Sequence, residues 1–120
     1  MATILIIDDE EPIRTLLRSA LETAGHEVIE AVNGLIGLEL YRRSSIDLII
    51  TDILMPELNG LDMILELTRG FLNVKVIAIS GVQGEENALD VAKLLGARQT
   101  FHKPFDMQDM LSAVRYELAH

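Results

Sequence analysis

A chain of 120 residues, 49% of them hydrophobic, has the size and apolar content of one domain with one core. Its 19 acidic and 10 basic residues give a formal charge of -9, which opposes sequence-independent binding to nucleic acids and anionic membranes. The lack of cysteine excludes disulfides and thiolate zinc sites. The N-terminal apolar run is too short for a signal peptide, and no run approaches the roughly 18 residues of a membrane span. We therefore expect a single cytoplasmic domain over 1–120, with no membrane and no direct nucleic-acid partner.

Apolar runs alternate with segments of helical period along the whole chain, which predicts a parallel sheet covered by helices. Three runs are rich in Ile, Leu and Val on both pleat faces, as central strands are: TILIID (3–8), DLIITD (47–52) and VKVIAIS (74–80). Two runs carry polar residues and suit the margins of a sheet: HEVIEA (26–31) and RQTFHK (98–103). The second and fifth strands are then outermost, which predicts the flavodoxin-like α/β fold, with strand order 2-1-3-4-5 and five helices.

Apolar residues three and four apart form a stripe in the first and last helices, and we interpret both stripes as core. The stripes consist of Ile13, Leu16, Leu17, Ala20, Leu21 and Ala24, and of Met107, Met110, Leu111, Val114 and Leu118. Pro12 suits the first turn of the first helix, and Gly25 suits its C-terminal cap. Further helices are expected near 34–43, 58–69 and 85–95, with Asn33 as the cap of the first of these.

Polar side chains close four of the predicted strands. They are Asp8 and Asp9 in the first, Asp52 in the third, Ser80 in the fourth and Lys103 in the fifth. Parallel strands end at one edge of the sheet, where ligands bind. Three carboxylates at one place repel each other and call for a cation, and oxygen ligands without His or Cys favour Mg²⁺. The sequence therefore predicts a magnesium site. Glu10 and Glu11 are interpreted only as favourable charges in the first turn of a helix.

Asp52 is the central acid, and a carboxylate at a strand end can act as a nucleophile toward a phosphoryl group. The backbone carbonyl of Leu54, two residues later, is a further candidate ligand for the metal. The Ser80 hydroxyl is placed to donate to a phosphoryl oxygen, and the Lys103 amine to pair with Asp52 or with that group.

Four segments together resemble the receiver domain of two-component response regulators, of which the chemotaxis regulator is a single-domain example. They are IDDEEPIRTLL, DLIITDILMPELNG, VIAISG and FHKPF, in this order. The resemblance implies Mg²⁺ as cofactor and the following site: Asp52 as phosphoacceptor, Asp8 and Asp9 as the metal-binding pair, Leu54 as the metal-binding carbonyl, Ser80 as the switch hydroxyl and Lys103 as the lysine. It also implies that a sensor histidine kinase or phosphotransfer protein donates the phosphoryl group. An unknown downstream protein would recognise a surface within 85–118.

One position departs from the resemblance. Many receiver domains have an aromatic switch residue three positions before the lysine, where this chain has Thr100. Phe101 is its neighbour and should point to the opposite face of the strand, into the core. The sequence leaves open whether Thr100 acts as a switch.

A similar fold also carries two alternative functions. An FMN-binding module would need a Ser/Thr/Gly-rich phosphate loop after the first strand, where this chain has the acidic run DDEEP. A Mg²⁺-dependent phosphatase with an Asp nucleophile commonly carries a second Asp two residues later, where this chain has Leu54. The phosphatase is the nearer alternative.

Overall fold

The structure of the chain is a computed structural model that describes residues 1–53, 60–71, 73–81 and 87–120. Strands and helices alternate in it, as the rhythm of apolar runs predicts. In chain order they are β1 (Thr3–Ile7), α1 (Glu11–Thr23), β2 (Glu27–Ala31), α2 (Gly34–Arg43), β3 (Leu48–Asp52), α3 (Gly60–Gly70), β4 (Val76–Ser80), α4 (Ala88–Leu95), β5 (Gln99–His102) and α5 (Met107–Ala119).

The strands form one parallel five-stranded sheet in the order β2-β1-β3-β4-β5, which confirms the flavodoxin-like order. Each strand lies within two residues of its predicted bounds. The register aligns the strand ends: Ile7 of β1 is opposite Thr51 of β3, and Asp52 is opposite Ile79 of β4. The residues that follow β1 and close β3 and β4 therefore lie at one edge of the sheet.

Apolar side chains of the central strands divide between two core clusters, one on each face. Ile4, Ile6 and Ile50 contribute to the cluster that includes residues of α1 and α5. Leu5 and Ile49 contribute to the cluster that includes residues of α2, α3 and α4. Because side chains alternate between the faces of a strand, a run that is apolar at every position has partners on both sides.

The buried stripe of α1 is narrower than the sequence predicts. Leu17 and Leu21 are fully buried, whereas Leu16 is 55% exposed and Ala24 is exposed. Adjacent helical residues are separated by about 100°, so Leu16 points away from the line through Leu17 and Leu21. Ala24 follows the last residue of the helix. The stripe of α5 is as predicted, with Met110 and Val114 buried.

The predicted helix ends are confirmed at three positions. Pro12 lies in the first turn of α1, and Gly25 follows that helix with a φ of 96°, in the left-handed region that favours glycine. Asn33 Oδ1 accepts a hydrogen bond from Ile36 N at 2.9 Å and so caps α2. The predicted starts of α3 and α4, at 58 and 85, lie outside the described residues. Among the helices of the described ranges, none has the length and apolar character needed to cross a membrane.

Candidate functional site

Four carboxylates meet at the carboxyl edge of the sheet. Asp8, Asp9, Glu10 and Asp52 each offer an oxygen, and these oxygens all lie within 4.8 Å of one another. Asp8 and Asp52 are buried, whereas Asp9 and Glu10 are exposed. The structure thus brings together the three acids predicted from sequence and adds Glu10. Leu54, whose carbonyl was predicted as a metal ligand, lies outside the described residues.

Lys103 joins this acidic cluster from the loop after β5. Its Nζ lies 2.9 Å from Asp8 Oδ2, 2.7 Å from Glu10 Oε1 and 2.7 Å from Asp52 Oδ2. Burial alone would lower the pKa of Lys103, but the contacts with Asp52, Glu10 and Asp8 outweigh it and raise the pKa above its usual value. The amine is therefore charged at neutral pH. The Lys103 backbone N–H also donates to Ser80 O at 2.7 Å, which ties the loop to the end of β4.

Three of the four polar atoms of Asp8 are held by hydrogen bonds. Its N–H donates to Ala31 O at 3.1 Å, its carbonyl accepts from Arg14 Nη1 at 2.7 Å, and its Oδ1 accepts from Glu10 N at 2.8 Å. Oδ2 is buried and is paired with Lys103 Nζ, 2.9 Å away, with no further hydrogen bond within the described part of the chain. The Lys103 cation therefore compensates for part of the cost of burying this carboxylate oxygen.

The donor set fits a hard cation. All of its candidate ligands are carboxylate oxygens, which Mg²⁺ prefers, and these oxygens lie within 4.8 Å of one another. Two of the acids are exposed, so a bound ion could keep several of its waters, as Mg²⁺ does in proteins. The residues present are therefore compatible with a magnesium ion held by Asp8, Asp9 and Asp52.

The interpretation of Glu10 as only a helix-terminal charge was incomplete. Glu10 is the N-cap residue of α1, but its side chain makes no capping hydrogen bond. Its carboxylate instead contacts Lys103, 93 positions away in sequence. Glu11 lies in the first turn of α1, as expected. The sequence offered one signal, namely that Glu10 directly follows the acidic pair on the same loop.

Ser80 and Thr100 lie on neighbouring strands near this edge. Ser80 is buried, and its Oγ lies 3.4 Å from Gly81 O, a long contact. Thr100 is half-buried and opposite Ala78 of β4. Phe101 packs against the cluster on the α1 and α5 side and contacts Phe105 edge-to-face, as expected of a core residue. The role of Thr100 as a switch stays a prediction.

Gly60 supports the end of β3 in a way that sequence reasoning missed. Its N–H donates to Ile53 O at 3.1 Å, so α3 begins directly against the residue after Asp52. A Cβ at this position would lie 2.5 Å from Asp52 O and closer still to Ile53 Cα. Backbone atoms cannot yield as a flexible side chain can, so the position requires glycine for space.

Neutralising Asp8 is expected to stabilise the metal-free protein at neutral pH. Burial raises the pKa of Asp8 above its usual value, and the contacts with Lys103 and the Glu10 N–H offset this only in part. A carboxyl group with a raised folded-state pKa lowers stability as pH rises through the interval between its unfolded and folded pKa values. Asp8→Asn should therefore raise the free energy of unfolding at pH 7, and the gain should shrink as pH falls toward the usual carboxyl pKa.

Urea denaturation without divalent ions, at several pH values, measures this effect. Asp109→Asn removes a charge from the exposed first turn of α5 and serves as the control. An Asp8→Asn variant that is less stable than the wild type at pH 7 would contradict the expectation.

Comparisons with known proteins agree with this geometry. Residues 4–115 match the family model of the response regulator receiver domain. The chain is 37% identical over 117 residues to the DNA-binding transcriptional regulator NtrC of Azospirillum brasilense, covering 98% of this chain but only 24% of that protein. It is 32% identical over 112 residues to sporulation initiation phosphotransferase F of Bacillus subtilis (strain 168), covering 93% of this chain and 90% of that protein.

A solved structure is similar over the whole chain. The response regulator TrrA from Thermotoga maritima in complex with Mg(2+)-BeF is 29% identical, with a TM-score of 0.87, covering 98% of this chain and 99% of that chain. The family match includes every site residue that the sequence singled out, from Asp8 to Lys103. This chain belongs to the response regulator receiver domain family.

Proposed function

We propose that Asp52 accepts a phosphoryl group from the phosphohistidine of a sensor histidine kinase or a phosphotransfer protein. The observation that carries the proposal is the buried contact of Lys103 Nζ with Asp52 Oδ2, 2.7 Å long, inside a cluster of four acids. The cluster surrounds Asp52 with groups suited to phosphoryl oxygens and a metal ion. The family, and the name of the Bacillus subtilis phosphotransferase, support phosphoryl transfer as the reaction class.

In the proposed transfer a carboxylate oxygen of Asp52 attacks phosphorus in line with the donor imidazole. The new O–P bond forms as the P–N bond breaks, and the electron pair of that bond stays on the imidazole nitrogen. Lys103 pairs with the phosphoryl oxygens, and the Ser80 hydroxyl donates a hydrogen bond to one of them. A Mg²⁺ ion held by Asp8, Asp9, Asp52 and the Leu54 carbonyl would supply charge neutralisation for the same oxygens.

Phosphorylation would change the protein surface to which a downstream protein binds. We propose that Ser80 and Thr100 transmit the presence of the phosphoryl group to the region of α4, β5 and α5, where a downstream protein binds. Thr100 supports this role by its position, since it is on β5 beside Ala78 of the strand that ends in Ser80. We place this exchange in the cytoplasm. We also propose that this chain does not contact nucleic acid directly, because its net charge of -9 repels the phosphate backbone.

Acetyl phosphate, a small phosphoryl donor, tests the proposal without a known kinase. Incubation with Mg²⁺ should add the mass of one phosphoryl group to the intact protein, and a chelator should prevent the addition. The product should be labile to hydroxylamine, which cleaves acyl phosphates. Absence of any addition would overturn the proposal. Sustained phosphate release from a phosphomonoester, with no phosphorylated protein accumulating, would instead identify an aspartate-nucleophile phosphatase.

Magnesium is expected to stabilise the folded protein. A ligand that binds only the folded state at about 100 times its dissociation constant contributes about 2.7 kcal/mol to the free energy of unfolding. Asp9→Asn removes one ligand and should lose most of this response. Glu11→Gln removes the same charge from the first turn of α1, outside the cluster, and should keep the response to Mg²⁺.

Thermal denaturation at low ionic strength, with and without Mg²⁺, measures both variants. A wild-type melting temperature that is indifferent to Mg²⁺ would contradict the metal site. An equal response in Asp9→Asn and the wild type would remove Asp9 from it.

A further inference from the structure

A network of charged residues outside the acidic cluster holds the backbone of Asp8. Arg14 of α1 donates from Nη1 to Asp8 O at 2.7 Å and pairs through Nε with Glu30 Oε1 at 3.0 Å. Glu30 lies on β2 immediately before Ala31, whose carbonyl accepts the N–H of Asp8. The N–H group of Asp8 is therefore bonded directly to β2, and its carbonyl group is linked to β2 through Arg14.

We infer that Arg14 is a positioning residue for the loop 8–10 and thereby sets the magnesium affinity of this chain. The inference rests on the magnesium site of the proposed function. Arg14 is suited to the task because the guanidinium is planar and presents donors in a fixed geometry, so it can bond a carboxylate and a carbonyl at once. Its side chain is 12% exposed, which shields these contacts from water.

The second arginine of the network, Arg18, shares the contact with Glu30 but not the contact with the Asp8 carbonyl. Arg18 pairs with the other oxygen of the same carboxylate, with Nε 2.6 Å from Glu30 Oε2, and donates from Nη2 to Val28 O. Its side chain is 37% exposed, and it also pairs with Glu22 one turn later in α1. Arg18 thus shares Glu30 with Arg14, while the contact with the Asp8 carbonyl comes from Arg14.

Positioning matters here because the loop carries like charges toward Asp52. Asp8, Asp9 and Glu10 are consecutive, and their repulsion from Asp52 favours movement of the loop away from β3. Contacts that hold the loop against this repulsion keep the ligands at the distances that an ion requires. Partners that orient metal ligands typically change metal affinity by about 10- to 100-fold when they are mutated.

The comparison of Arg14→Met with Arg18→Met tests the inference. Both variants remove one positive charge and one partner of Glu30, but only Arg14→Met removes the bond to Asp8 O. Isothermal titration with Mg²⁺ should show a dissociation constant raised about 10-fold in Arg14→Met and changed less than about twofold in Arg18→Met. Arg14→Lys retains one donor group and should recover part of the affinity.

Phosphorylation by acetyl phosphate supplies a second measurement. The rate for Arg14→Met should approach that of the wild type at saturating Mg²⁺, because the reacting groups are intact and only ion binding is weakened. Mg²⁺ also offsets a general destabilisation, because it binds the folded state, so the folded fraction of each variant is measured separately. Urea denaturation of both arginine variants establishes that the compared proteins are folded, and Arg14→Lys replaces Arg14→Met if the latter is not.

The outcomes separate the inference from the proposed function. Wild-type affinity in a folded Arg14 variant would overturn the inference alone, as would an equal loss in Arg18→Met, which would indicate a general charge effect. A wild-type protein that binds no Mg²⁺ would overturn both the inference and the magnesium site. Phosphorylation of Asp52 would then be judged separately by the mass measurement.

Discussion

Asp52→Asn should take up no phosphoryl group from acetyl phosphate under conditions in which the wild type is modified. The substitution keeps the size of the side chain and removes its nucleophilic oxygen, because an amide oxygen is a far weaker nucleophile than a carboxylate. The fold should survive, since the change removes one of four clustered negative charges and retains an oxygen that can accept from Lys103.

Intact-mass measurement after a time course checks this expectation, with Asp90→Asn on the exposed face of α4 as a control that should behave as wild type. Peptide mapping of the modified wild type should find the label on the peptide that contains Asp52. An Asp52→Asn variant that gains the wild-type mass at the wild-type rate would move the phosphoacceptor elsewhere in the cluster.

Lys103→Met should both prevent efficient phosphorylation and reduce the free energy of unfolding by about 3 kcal/mol at pH 7. Removing one partner of a buried ion pair typically costs about 3 to 5 kcal/mol, because the other partner stays buried without compensation. The lower end applies because Glu10, one of the three acids that contact Lys103, is exposed. Asp8 and Asp52, with side chains 1% and 5% exposed, carry most of the effect.

The pH dependence of this loss follows from the direction of the shifts. The raised pKa of Lys103 means that its stabilising contribution is fully present below the usual lysine pKa and is lost only in strongly alkaline solution. In Lys103→Met the buried carboxyl group of Asp8 loses contacts that lower its pKa, so this pKa rises further above its usual value. Acidification then protonates Asp8, so the deficit in the free energy of unfolding relative to the wild type should diminish as pH falls.

Urea denaturation of Lys103→Met, Asp8→Asn and the double variant measures the coupling. The double variant should recover part of the loss, since one of the uncompensated charges is gone. Lys93→Met, at an exposed position of α4, should change stability by less than about 0.5 kcal/mol. A Lys103→Met variant as stable as the wild type would show that the acids are already compensated without the amine.

The sequence predicted the sheet and the meeting of the site residues for one physical reason. Runs that are apolar on both faces identify buried parallel strands, and parallel strands end at one edge. The positions of Asp8, Asp52 and Lys103 at that edge therefore followed from their places at the ends of β1, β3 and β5. The order of the elements along the chain is sufficient to place these residues together, without any distances.

Features that depend on distances between remote residues were not predictable in this way. The contact of Glu10 with Lys103 and the fit of Gly60 against Asp52 O require the paths of two loops. Helical periodicity placed α5 correctly but did not identify Glu117 as a buried residue on its inner side. Glu117 is accommodated there because Gln99 Nε2, at the start of β5, donates to its Oε2 at 2.8 Å, and Arg98, just before β5, pairs with its Oε1 at 3.6 Å.

The close approach of Gly60 to β3 has a mechanical consequence. With no room for even one methyl group between the first residue of α3 and the carbonyl of Asp52, the helix cannot move closer to the strand at this point. Compression is blocked, while the hydrogen bond from Gly60 N to Ile53 O resists separation. A displacement of the backbone at Asp52 should therefore move the start of α3 in the same direction.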